Sequence, residues 1–303
     1  MRSMLAERGT AEPRHAKEPG DDTRFAFGKN WNRFLRLMSD ERVAEAERSL
    51  REMLDVDDLR GRSFLDVGSG SGLFSLAARR LGARVHSFDY DPASTACTAE
   101  LKRRYYHNDL GWTVEQGSVL DSRYLESLGE YDVVYAWGVL HHTGAMWEAL
   151  ENVTSLVAPG GRLFLAIYND QGNWSSRWRK IKRFYCSGPV GRAVVCATYI
   201  PAVVARDLAA DLVWRRNPVK RYSEYKRARG MSVVHDWIDW LGGYPFEVAK
   251  PEQVFEFFDD RGFHLRKLKT CGGSVGCNEL VFQRPSSATD HDTALQARPS
   301  PRR

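Results

Sequence analysis

The chain has 303 residues, 43% hydrophobic and 27% charged, the composition of a soluble globular protein with room for one large α/β domain and an elaboration, or two small domains. Five scattered cysteines (Cys97, Cys186, Cys196, Cys271 and Cys277) form no C-x-x-C pair, which argues against a disulfide framework or a metal site and fits reduced thiols in a cytoplasm. Net charge is only +5, but residues 170–230 hold 14 Lys and Arg against 4 Asp and Glu, so the basicity belongs to one segment.

The opening MRSMLAERGTAEPRHAKEPGDD lacks an apolar run and mixes both signs of charge. It is expected to be a disordered arm over residues 1–23, not a signal peptide. After FGKNW (27–31), a helix opens at Ser39 or Asp40 and repeats Val43, Ala46, Leu50 and Leu54 at helical spacing. Residues 62–67 form an apolar strand, GSGSG a turn, Leu73–Leu81 a helix stopped by Gly82, and ARVHSFDYD a second strand. WTVEQGSVLD continues as strand and turn, and YDVVYAWGVL as a buried strand. A helix from Ala145 to Val157 follows, stopped by APGG, before the strand GRLFLAIYND. Strands separated by helices predict a doubly wound parallel sheet whose ligand lies at the carboxyl ends of its strands. Residues 171–242 read as mainly helical, PEQVFEFFDDRG as another helix, and FHLRKLKT with CNELVFQR as an antiparallel hairpin. The expected division is a core at 24–169, a helical cap at 170–250, a return to the core at 251–284 and a disordered tail at 285–303.

The glycine turn is not a dinucleotide fingerprint, because Leu73 stands five residues after Gly68, where that pattern needs glycine or alanine. No Lys-Ser/Thr pair follows, which removes a phosphate-loop NTPase. Asp66 before the turn would repel a pyrophosphate, so an acidic lip beside close-approach glycines suits a cationic ligand without phosphate.

FLDVGSGSG, SFDYD, EQGSVLD and YDVVYAWGVLHHT…LVAPGGRLFLAIYND resemble class I S-adenosylmethionine-dependent methyltransferases, and most of all small-molecule enzymes related to the ubiquinone-biosynthesis O-methyltransferases. The likeness covers roughly residues 60–170 and the terminal hairpin. It implies a Rossmann-like α/β fold, with a mostly parallel seven-stranded sheet, a reversed last strand and a helical lid insertion. Under this resemblance Asp66 holds the methionine ammonium of S-adenosyl-L-methionine, and Gly68, Ser69, Gly70 and Gly72 form the turn it approaches. Asp89 takes both ribose hydroxyls and Tyr90 packs on adenine. Ser118 stands where the family commonly has an acid for the adenine amino group, Val119 offers a backbone N–H, and Trp137 faces the donor. FGKNW, with Trp31, resembles an aromatic lid over the cofactor, or serves as a core anchor.

Methyl transfer is an in-line displacement for which a protein aligns a nucleophile and excludes water. If the acceptor is a hydroxyl or ammonium, a base must take its proton; His142 is the first candidate, with His141 expected to point away and be structural. His235 and Asp239 share a helical face and form the second candidate base, or a surface pair. Asp236, Trp240, Tyr168 and Asn169 are expected to line the acceptor site. The apolar run Ala193–Ala205, interrupted by Pro201, is judged too short to span a bilayer. The basic insertion then reads as a cap over a small-molecule acceptor, as a helix at a membrane surface for a lipid-like acceptor, or as an RNA groove. Nucleic acid is the least expected partner, because no RNA-binding module is recognisable. The main expectation is an enzyme of the cytoplasm, with peripheral contact at the inner face of a membrane. Its rivals are an RNA methyltransferase and a non-catalytic S-adenosylmethionine-binding protein.

Overall fold

The computed structural model describes Leu35 and residues 38–214 and 233–286. Its centre is a seven-stranded sheet built from β1 (Ser63–Val67), β2 (Arg84–Asp89), β3 (Trp112–Gln116), β4 (Tyr131–Trp137), β5 (Val157–Tyr168), β6 (His264–Lys269) and β7 (Cys277–Gln283). Strand order is β3-β2-β1-β4-β5-β7-β6. β7 runs antiparallel to both its neighbours, and the other pairings are parallel. The order reverses between β1 and β4, so the crevice for a ligand opens at the carboxyl ends of those strands.

Alternation along each strand divides the core into two layers. On one side Phe64, Val85, Val133 and Phe164 pack beneath α1 (Asp40–Leu54), α2 (Leu73–Arg80) and α3 (Pro92–Tyr105). On the other, Leu65, Val67, Val134 and Leu163 meet α4 (Ser122–Leu128), α5 (Met146–Thr154) and α9 (Pro251–Asp259). Local chemistry starts the helices after β2 and β3. The Asp91 carboxylate accepts the Ala93 N–H at 2.8 Å with Pro92 in the first turn, and Asp121 accepts the Tyr124 N–H at 3.1 Å.

The cap consists of α6 (Asn173–Cys186), α7 (Pro189–Val213) and α8 (Val233–Gly242). Tyr185, Val195 and Leu241 form its own small core, with Trp178, Tyr199 and Trp240 against it. One sequence expectation fails here. α7 runs unbroken through Pro201 for 25 residues, about 37 Å at 1.5 Å per residue, and is long and apolar enough to cross a membrane. The 13-residue limit read from Ala193 to Ala205 therefore does not hold.

Candidate active site

The carboxyl end of β1 leads directly into the glycine turn. Gly68, Gly70 and Gly72 have φ of 74°, 54° and 77°, the left-handed region that suits glycine. The N–H groups of Gly68 and Ser69 both donate to the Phe88 carbonyl, at 2.9 and 3.0 Å, which ties the turn to β2. A Cβ on Gly68 would lie 2.5 Å from the Val139 methyls, so this glycine also serves close packing within the protein. The Ser69 hydroxyl is bonded to Thr98 at 2.9 Å; that side chain anchors the turn to α3.

Asp66 is 2% exposed and accepts a hydrogen bond from the Ser75 hydroxyl. Ser75 continues to Ser87 at 2.7 Å, and the Trp112 indole N–H donates to Ser87 at 2.8 Å, a buried polar chain across three strands and α2. Burial pushes the Asp66 carboxyl up to about 7, opposed by the Ser75 bond and reinforced by the charge of Asp89. Asp89, at the end of β2, accepts the Gly70 N–H on one oxygen and the Asp91 N–H on the other, both at 2.9 Å. Burial raises it to about 6 against those two bonds. Among the described residues, neither acid belongs to an ion pair. Two acids are thus held at one turn, and in their ionised form they would attract a cation and repel a phosphate.

The rim is aromatic. Tyr90 and Trp137, at the ends of β2 and β4, are 37% and 41% exposed. Ser118 lies on the loop after β3, its hydroxyl accepting the Leu120 N–H at 3.2 Å. Val119 is different: its side chain is buried in the core and its carbonyl accepts the Asn152 amide at 2.9 Å, so any part in a ligand site is limited to its backbone N–H.

After β4 the chain does not stay extended. Leu140–His142 is a 3₁₀ turn, and both imidazoles pack near Tyr168, at 4.0 Å for His141 and 5.5 Å for His142 between ring centroids. Burial, not strand alternation, separates them. His141 is fully buried, its Nδ1 accepts the Tyr168 N–H at 3.4 Å, and its Nε2 has no hydrogen-bond partner among the described residues. Desolvation holds it well below the usual histidine range, with His142 and Lys182 adding to the effect. His142 is half-buried and its Nδ1 donates to the Pro245 carbonyl at 2.6 Å. That bond assigns the proton of the neutral ring to Nδ1 and leaves Nε2 as the acceptor.

A recess beside this turn is lined by Tyr168, Asn169, Trp178, Trp240 and Phe246, among others. Asn169 is partly committed to structure: its amide donates to the Ser274 carbonyl at 3.3 Å and its oxygen accepts from Asn278 at 3.1 Å. Trp31 lies outside the described residues, and so do the side chains of His235, Asp236 and Asp239, whose backbone belongs to α8.

Residues 240–247 form a strap that runs from the end of α8 toward α9. It is held from both sides. Arg179, Lys182 and Cys186, on one face of α6, donate to the carbonyls of Phe246 (3.0 Å), Trp240 and Gly242 (3.2 Å). In turn the Glu247 N–H donates to the His141 carbonyl at 3.0 Å, and its carboxylate accepts the Met146 N–H at the start of α5, also at 3.0 Å. Lys182 is fully buried, its ammonium over the rings of Trp240 (4.1 Å) and Phe246 (4.9 Å). Desolvation lowers it to about 7. Two of the cations read as an RNA groove are thus bonded to the strap, Arg179 at the exposed surface of α6 and Lys182 in full burial.

A family model described as a methyltransferase domain matches residues 34–211. The chain is similar to a ubiquinone biosynthesis O-methyltransferase of Parvibaculum lavamentivorans, 28% identical over 186 residues, 54% of this chain and 68% of that one. It is similar to a ribosomal protein L11 methyltransferase of Methylococcus capsulatus, 37% identical over 116 residues, where the match spans 38% of this chain and only 36% of the relative. Among solved structures, the magnesium protoporphyrin IX methyltransferase of Synechocystis PCC 6803 with bound S-adenosylhomocysteine shares the fold, with TM-score 0.50, 14% identity, 84% of this chain and 94% of that chain covered. The sheet order, the reversed β7 and the acid-rimmed glycine turn agree with these matches, and the chain belongs to the methyltransferase-domain family, that of the class I S-adenosylmethionine-dependent enzymes.

Proposed function

We propose that the protein transfers a methyl group from S-adenosylmethionine to a small-molecule acceptor seated between the carboxyl end of β5 and the cap. The observation that carries this reading is the pairing of Asp89 with the Gly70 N–H at 2.9 Å, which joins the acid after β2 to the glycine turn after β1. When bound, the donor supplies an electrophilic methyl carbon activated by its sulfonium.

The protein's part is to bind, orient and deprotonate. Asp66 offers charge to the ammonium and Asp89 accepts from ribose hydroxyls, while Tyr90 and Trp137 cover the rim. Ser118 and the backbone of Val119 serve the adenine edge. Tyr168 and Trp240 present an aromatic wall to the acceptor. His142, with its proton fixed on Nδ1 by the Pro245 carbonyl, directs Nε2 as the base for an acidic O–H or N–H. The name of the Parvibaculum relative specifies O-methylation, which for this chain favours a hydroxyl acceptor.

Calorimetry with S-adenosylmethionine, S-adenosylhomocysteine and NAD tests the donor site; the first two are expected to bind and NAD to be refused. Uptake of NAD with no affinity for either sulfur nucleoside would overturn the reading. Incubation with labelled donor and a panel of phenols, amines and tRNA then tests the acceptor class, with transfer expected to small molecules and not to tRNA.

A further inference from the structure

Helix α7 turns an apolar side to solvent. Val190, Val194, Pro201, Leu208 and Leu212 are spaced by 4, 7, 7 and 4 residues, so at 3.6 residues per turn they share one side of the helix. Val190 is 74% and Leu212 81% exposed, and Trp214, just past the end, is exposed as well. Of its 25 residues only Gly191, Val195, Val203 and Asp211 are buried in the protein. Soluble surfaces seldom carry an apolar stripe of this length without a partner.

The neighbouring helix indicates which partner. α6 contains no acidic residue, and it exposes Arg177, Lys180 and Arg183 together with Trp174 and Phe184. Aromatic rings and cations beside an apolar stripe match the layers of a membrane interface, where hydrocarbon, headgroup and anionic phosphate follow one another. A symmetric second copy would set these unbalanced cations against themselves, and an RNA would find no hydrogen-bonding groups along the stripe.

Lying on the bilayer fits better than crossing it. The opposite side of α7 is already packed, Val195 with Tyr185 and Leu241, and Gly191 against the Phe184 carbonyl. Crossing would strip those contacts and place Arg206, Asp207 and Asp211 in hydrocarbon. We propose that the α6–α7 hairpin is a docking surface for a bilayer containing anionic lipid, with the outer stripe of α7 set into the headgroup boundary. This extends beyond the methyl-transfer reading and stands independently of it.

Flotation of the full chain with phosphatidylcholine vesicles, with and without phosphatidylglycerol, tests the surface. The expected result is binding to the mixed vesicles at least about tenfold stronger than to phosphatidylcholine alone, weakening as salt is raised. Leu208→Asp with Leu212→Asp should reduce that binding at least about tenfold, by the cost of carrying a carboxylate into the boundary. Its melting temperature and S-adenosylhomocysteine affinity should stay at the parent values, which separates loss of the surface from loss of the fold or the donor site. Absence of flotation with either vesicle overturns the proposal, as does a double variant that floats like its parent. A dimer abolished by the double variant, or tRNA binding abolished by it, in a chain that ignores vesicles assigns the stripe elsewhere and also overturns it.

Discussion

Asp89 and Gly70 are nineteen positions apart in sequence, yet the carboxylate of one accepts the N–H of the other at 2.9 Å while its second oxygen takes the Asp91 N–H. The acid is therefore aimed before any ligand arrives. Replacing Asp89 by alanine should weaken S-adenosylmethionine binding by about 1.5–3 kcal/mol, the range for a hydrogen bond to a charged group, or roughly ten- to a hundredfold in Kd. Calorimetry reads the affinity, and a thermal melt of the same sample shows whether the turn survives. Unchanged affinity would remove Asp89 from the site.

The protonation of these acids adds a second expectation. Burial raises Asp66 to about 7 and Asp89 to about 6, from the ordinary carboxylate value of 3.8. Between the unfolded and folded values the folded chain holds more protons, so the unligated protein loses stability as pH rises across that window. A bound cation favours the ionised acids and relieves this penalty. Donor affinity should consequently rise from pH 5.5 and level off above about 7, with proton release detectable in buffers of different ionisation enthalpy. Asp66→Asn should flatten most of that dependence; a wild-type affinity independent of pH would show that the two acids do not meet a charge.

Lys182 gives the opposite sign. Its folded value, about 7, lies below the ordinary 10.5, because burial penalises the ammonium. Between those values the unfolded chain binds the extra proton, so stability should increase with pH from about 7 to above 10, by at most roughly 1.4 kcal/mol per pH unit. Lys182→Met keeps much of the volume, removes the titrating group and should flatten that slope in pH-dependent melts. An unchanged slope in the variant would mean the gain comes from other groups. The variant also leaves the Trp240 carbonyl without its donor, so its absolute stability near neutral pH reflects two opposed effects.

What the sequence makes legible here is what is local. The alternation of strand and helix, Gly82 after α2 and the acid-glycine turn each depend on residues within a few positions of one another, and local pattern displays them. The strap at 240–247 is not local. Its bonds to Arg179, Lys182 and Cys186 span 67, 58 and 56 positions, and its bond to His142 spans 103. No pattern in LGGYPFE announces which carbonyls will be needed, although a lysine with two aromatic neighbours in the fold could have been suspected from the aromatic density of both segments. The continuity of α7 is not a local property either. Proline removes one helical hydrogen bond, yet the helix continues through Pro201 with Val195 and Val203 buried on either side of it.

The paired histidines allow the last prediction to be drawn from geometry. His141 is sealed in the core, with Nδ1 engaged by the Tyr168 N–H, so desolvation keeps it neutral and its work is to hold β5 against the turn. His142 is half-buried and has its Nδ1 proton directed to Pro245, which orients Nε2 for proton transfer. His142→Ala should therefore lower single-turnover methyl transfer by roughly a hundredfold, within the range for general base catalysis, while donor affinity stays close to the parent. His141→Ala should instead lower the melting temperature through a lost buried contact, with any fall in transfer following the unfolded fraction. His235→Ala, made in parallel, tests the other candidate base. If transfer survives in both the His142 and His235 variants, proton removal by histidine is not part of the reaction, and alignment of an already ionised nucleophile accounts for the rate.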